Sequence, residues 1–180
     1  EQKENHFDLS NGYAYTKVFG EDIFVILFEE GEQAKMMNRI AAFAEQTLGQ
    51  VLTDQELRKE KIDYIGHNYT NSQLARFFNE AKKKKNVKLN DLECRLLSDL
   101  LSLGLLSEES GVYVANTNMA LLTIRHGNRG LVYHEYDHAK YFTDGKYRNK
   151  AREVWRSLSP RQRQLVTELE KVYYDGADED

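Results

Sequence analysis

His134 and His138 stand four residues apart, with Glu135 directly after the first, inside Gly-Leu-Val-Tyr-His-Glu-Tyr-Asp-His-Ala-Lys-Tyr-Phe (130–142). This spacing constrains the chain more than any other stretch. On a helix, residues i and i+4 lie one above the other on the same face. Two imidazoles at that spacing can offer nitrogens to one metal ion, and the next residue, about 100° around the helix, can reach a water beside it. The segment from Leu131 to about Thr143 is therefore expected to be a helix, with no proline or glycine inside it and Asp144-Gly145 at its end.

The rest of the composition permits such a helix to be packed. At 180 residues with 41% apolar side chains, the chain is long enough to bury a core and too apolar to be disordered. A formal net charge of −4 gives no whole-protein attraction to nucleic acid or to an anionic membrane. One cysteine, Cys94, excludes an internal disulfide and leaves the compartment open. No run of 18 apolar residues is present, so a soluble chain without a membrane span is expected. The polar start Glu-Gln-Lys-Glu-Asn-His reads like that of an exported bacterial protein, secreted or periplasmic, after removal of a leader.

Taken in order, residues 1–12 are a flexible start. Tyr13–Val18 and Ile23–Phe28 read as a β-hairpin. Met36, Met37, Ile40, Phe43, Ala44 and Leu48 recur at helical spacing before Gly49. Thr53-Asp-Gln-Glu56 has the form of a capping box, and residues 61–70, with His67, read as an ordered loop. Helices are expected at 72–83, capped by Asn71 or Ser72, and at 90–103. Lys82–Lys85 complement the end of the first and solvate it. These helices followed by Gly111–Ala115 have the outline of a helix pair with a wing, as in DNA-binding modules. Arg95 is alone among Asp91, Glu93 and Asp99, however, and no nucleic-acid partner is expected.

Val112–Ala115 and Met119–Ile124, joined by Asn116-Thr-Asn118, read as a second hairpin leading into the motif helix. A helix at 147–158 follows, and Ser159-Pro160 caps a last one reaching about Tyr174. The expectation is an α+β fold: a mostly helical single domain with a small antiparallel sheet. It comprises a mainly helical part (13–110), a strand–helix part carrying the motif (111–174) and an acidic tail (175–180).

Residues 134–138, with the strand-like run before them, resemble the zincin superfamily of zinc-dependent metallopeptidases over about residues 119–144. The resemblance implies zinc as the cofactor, His134 and His138 as ligands, Glu135 as general base, and a protein or peptide substrate. In many such enzymes a sheet-edge strand before the helix binds extended substrate, for which Met119–Ile124 is the candidate. The chain departs from the longer family signature at Asp137 and Lys140, where uncharged residues are usual.

A third ligand is not contained in the motif. Glu153, on the following helix, is ranked first and Asp144, six after His138, second; the tail carboxylates Asp175, Asp178 and Glu179 are further candidates. Tyr141, on the same face as the histidines, is a candidate to meet metal or substrate, and Arg125 and His126 to steady an oxyanion. The function expected is a zinc-dependent hydrolase, a metallopeptidase. The alternative is a non-enzymatic interaction domain, an adaptor or secreted effector, with a structural or vestigial metal site. Nothing in the residues fixes the oligomeric state.

Overall fold

The computed structural model describes residues 13–18, 22–28, 31–47, 49–60, 62, 66–125 and 129–175, the side chains of 125, 129–131 and 170–175 excepted. The fold is α+β and mostly helical. Its contacts divide into two compact units, 1–143 and 144–180.

The first unit is built on a four-stranded sheet. Strands β1 (Tyr13–Lys17), β2 (Ile23–Phe28), β3 (Gly66–Thr70) and β6 (Ala120–Arg125) lie in the order β1-β2-β6-β3. The β1–β2 and β3–β6 pairs are antiparallel, and β2–β6 is parallel. The first hairpin forms as expected. The second does not: Val112–Ala115 (β5) pairs with Leu106–Glu109 (β4), and the run at 120–125 leaves to join the main sheet. The β4–β5 turn is Ser110-Gly111, both with positive φ (52° and 81°), which matches the twist of a tight two-residue hairpin.

Burial explains where the last strand went. Ala120, Leu121, Leu122, Thr123 and Ile124 are all buried, whereas Val112 and Val114 are exposed. A continuous apolar run suits a strand covered on both faces, and β6 has neighbours on both edges as well. It is therefore not a sheet edge. The edge beside it is β3, which the sequence presented as a loop because its residues are polar.

Two layers cover the sheet. One face packs Tyr13, Ile26, Phe28, Tyr69 and Leu121 against three helices: α1 (Glu32–Ala41), α3 (Asn71–Lys83) and α4 (Asp91–Ser102). Met36, Met37, Phe77, Phe78 and Leu96 supply the helical side of that core. Helix α1 runs into a π-helical turn at 42–46, and Gly49 takes the left-handed turn (φ 94°) that follows. Helix α5 (Arg129–Thr143) covers the other face, where Ala139 sits among Ile23, Val25, Ala120, Leu122 and Ile124.

Caps set the helix starts. Thr53 and Glu56 form the expected box at the short α2 (Asp54–Leu57). Thr70, one residue before the expected cap, closes a box with Gln73 on α3, and Asn90 does so with Glu93 on α4. Arg39 is 2% exposed and binds the buried Glu93 at 2.8 Å, the Leu52 carbonyl at 2.6 Å and Asp54. Burial pushes the Glu93 carboxyl above the usual range, against the pull of Asn90 and Arg39.

The second unit is a helical pair, α6 (Gly145–Ser157) and α7 (Pro160–Asp175). Ser159 caps α7 and Gln162 reciprocates, as the Ser-Pro pair predicted. Arg163 lies over the Trp155 ring and donates to the carbonyls of Trp155 and Arg156 at 3.1 and 2.8 Å, tying the turn together. None of the residues of α6 is buried.

Candidate functional site

Helix α5 packs across β3 and β6, and its sequence fixes which side chains face the sheet. Glu135 and Ala139, four apart, are buried against it at 6% and 0% exposure. One position back, His134 and His138 fall on the adjoining stripe, where His134 is half-buried and His138 exposed. The same segment thus places a carboxylate inward and two imidazoles at the protein surface beside it.

The two rings meet edge to face, with His134 Nε2 and His138 Nε2 3.2 Å apart. Two imidazole ligands of a tetrahedral zinc, each about 2.0–2.1 Å from the ion, stand about 3.3–3.4 Å from one another. The observed separation is close to that distance. Without a metal, the same approach serves one neutral imidazole donating to the other. Nitrogen donors in this pairing suit zinc, which takes three protein ligands in catalytic sites.

Among the described residues no group of three His, Cys, Asp or Glu side chains is assembled to hold a metal. Both ranked third ligands belong to the second unit. Asp144 caps α6, its Oδ1 accepting from the Lys146 and Tyr147 N–H groups at 2.8 and 3.1 Å. Glu153 lies exposed on α6. The side chains of Asp175, Asp178, Glu179, Arg125 and His126 lie outside the described residues. Tyr141 is half-buried on α5, its ring edge-on to Phe142 at 6.2 Å. Asp137, the charge that departs from the family signature, is exposed on α5, which accommodates it without desolvation.

The residue that sequence reasoning missed is Asn68. It sits on β3, and its amide Nδ2 donates to Glu135 Oε2 at 2.6 Å across 67 residues of chain. Neighbouring positions on β3 point to the opposite face. There Tyr69 donates to Glu45 at 2.6 Å and its hydroxyl lies 3.2 Å from His67 Nδ1. His67, read from sequence as a loop histidine, is 2% exposed on a strand, and burial pushes it down to about 4. It is thus neutral at physiological pH and on the far side of the sheet strand from the histidine pair.

A cleft of about 770 Å³ lies elsewhere in the first unit, between α3 and β5, lined by Ala75, Arg76, Asn79, Val112 and Val114. It contains none of the motif residues. No helix among the described residues is long and apolar enough to cross a membrane. Comparison with protein-family models, curated proteins and solved structures finds no match.

Proposed function

We propose that this protein is a zinc-dependent hydrolase that cleaves peptide bonds, with His134 and His138 as zinc ligands and Glu135 as general base. The observation that carries the reading is the convergence of the two Nε2 atoms at 3.2 Å, beside a buried glutamate that is held from the neighbouring strand. A metal in that position would polarise a carbonyl and bring a bound water into the neutral pH range. Glu135 accepts the proton of the attacking water on a carboxylate oxygen and returns it to the leaving amine nitrogen. Its burial excludes bulk water from that exchange.

The edge strand also fits an extended substrate, though it is β3 and not the strand directly before the helix. β3 pairs with β6 on one side and has no strand neighbour on the other among the described residues. Helix α5 packs against it, so a peptide added along that edge runs beside the helix that carries the motif.

The test is a pair of substitutions on purified protein. Glu135→Gln keeps one zinc per chain and loses hydrolysis of casein or a peptide library, and His138→Ala loses the zinc. Glu153→Gln and Asp144→Asn, assayed for zinc in the same way, test the two ranked candidates for the third ligand. If the protein carries no zinc and neither motif substitution changes hydrolysis, the reading fails in favour of an interaction domain with a vestigial histidine pair.

A further inference from the structure

The hydrogen-bond alternation of the sheet fixes which way each residue of β3 presents its backbone. The Asn71 N–H donates to the Met119 carbonyl at 3.0 Å, and the Ala120 N–H turns the other way, to the Asp22 carbonyl at 3.0 Å. In an antiparallel ladder the bonded positions alternate, so His67 and Tyr69, in step with Asn71, face β6. Gly66, Asn68 and Thr70 then face the outer edge. The Thr70 N–H is already taken by Gln73 Oε1 at 2.8 Å, where α3 begins. Asn68 is left as the residue that offers its main-chain N–H and C=O outward in mid-strand, while its side chain crosses to α5 and grips Glu135 at 2.6 Å.

We infer that Asn68 is a positioning residue that holds the Glu135 carboxylate by one oxygen, leaves the other for the reacting water, and ties that orientation to an extended peptide substrate pairing with the β3 edge. The inference rests on Glu135 as general base, as proposed above. Physical chemistry supports the assignment in two ways. A hydrogen bond to a carboxylate is shorter and stronger than one between neutral groups, so one such bond fixes the rotamer of a buried glutamate. An amide does so without bringing a second charge, which would compete with the proton that the base must accept. Moreover, a peptide strand bonding to the Asn68 main chain bears on the same residue that holds the base.

A substitution series separates positioning from structure. Asn68→Asp preserves shape but removes the donor, and Asn68→Gln keeps a donor on a longer arm. Asn68→Asp and Asn68→Ala are expected to lower kcat about 10–100-fold, with zinc content unchanged and KM for an extended peptide moved less than threefold. Asn68→Gln recovers at least part of kcat. In a Glu135→Gln background, Asn68→Ala costs nothing further, the non-additivity of two residues acting as a unit. A second readout needs no activity: in the metal-free protein, the side-chain NH₂ proton signals of Asn68 shift on Glu135→Ala, reporting the bond itself.

Wild-type kcat in Asn68→Asp overturns the inference, as does an Asn68 NH₂ signal indifferent to Glu135→Ala. A coupled NMR signal in a protein whose Glu135→Gln variant is fully active overturns it differently: the bond exists, and the base assignment is what failed.

Discussion

Among the described residues of the first unit two glutamates are buried, and they are treated in opposite ways. Glu93, on α4, is 0% exposed and meets a guanidinium; it also closes the cap of its own helix through Asn90. Its charge is paired with Arg39, which ties α4 to α1, while the cap fixes the start of its own helix. Glu135, on α5, is 6% exposed and is held by the neutral amide of Asn68, with two imidazoles on the adjoining stripe of its helix. A buried carboxylate is costly unless paired and hydrogen-bonded. Where the pairing is complete the group is structural. Where it stops, among the described residues, at a single amide, acceptor capacity is left over, and that is the feature on which the proposal of Glu135 as general base draws.

The contrast is broken most severely at Glu135. Glu135→Gln is expected to lower turnover by about 10²–10⁴-fold while leaving thermal unfolding within a degree or two, since the amide can still meet Asn68 in its flipped orientation. Steady-state kinetics alongside calorimetry checks both halves. At the structural glutamate the pattern inverts. Arg39→Ala leaves Glu93 and Asp54 without their cation and is expected to cost about 3–5 kcal/mol of stability in urea titration, with kcat unchanged wherever the variant is folded.

Histidines sharpen the same contrast. His67 is pushed down to about 4 by burial, whereas an unfolded chain titrates near 6.5. The stability that it contributes is whole above pH 6.5 and is lost as pH falls towards 4, because the unfolded state takes up a proton that the folded state refuses. The total is about 3 kcal/mol. Urea midpoints measured from pH 7 to pH 4 should fall in the wild type, and more shallowly in His67→Gln. The smallest effect is expected at Thr70, which caps α3 where the β3 edge ends: Thr70→Ala costs about 1 kcal/mol and leaves zinc binding intact.

Local chemistry was legible in the sequence, and pairing over distance was not. The box at Thr53 and the Ser159-Pro160 cap follow from side chains that reach backbone three residues away, so spacing alone reveals them. The histidine pair is of the same kind, since a helix brings i and i+4 together whatever surrounds it. The partner of β5 depended on which of two turns closed. Asn116-Thr-Asn118 had the stronger composition, but Ser110-Gly111 had the positive φ angles.

Arg39 illustrates the harder case. It lies on an amphipathic helix and is completely buried only because Asp54 and Glu93, 15 and 54 residues away, come to meet it. Asn68 was hidden for a similar reason: its strand is polar, and the carboxylate that gives it meaning lies 67 residues further on.

Asn79 gives the small hairpin a property that its own strands lack. From α3, its side-chain amide accepts from the Tyr113 N–H and donates to the Tyr113 carbonyl, both at 2.8 Å, and Lys82 bonds the Gly111 carbonyl at 2.9 Å. An amide side chain spanning both groups of one residue imitates a neighbouring strand. Val112 and Val114 would otherwise make this an apolar border open to recruitment by another molecule, the starting point of fibrous self-association. The asparagine occupies that border, whereas the β3 border, along which the proposed peptide would pair, has no strand neighbour among the described residues.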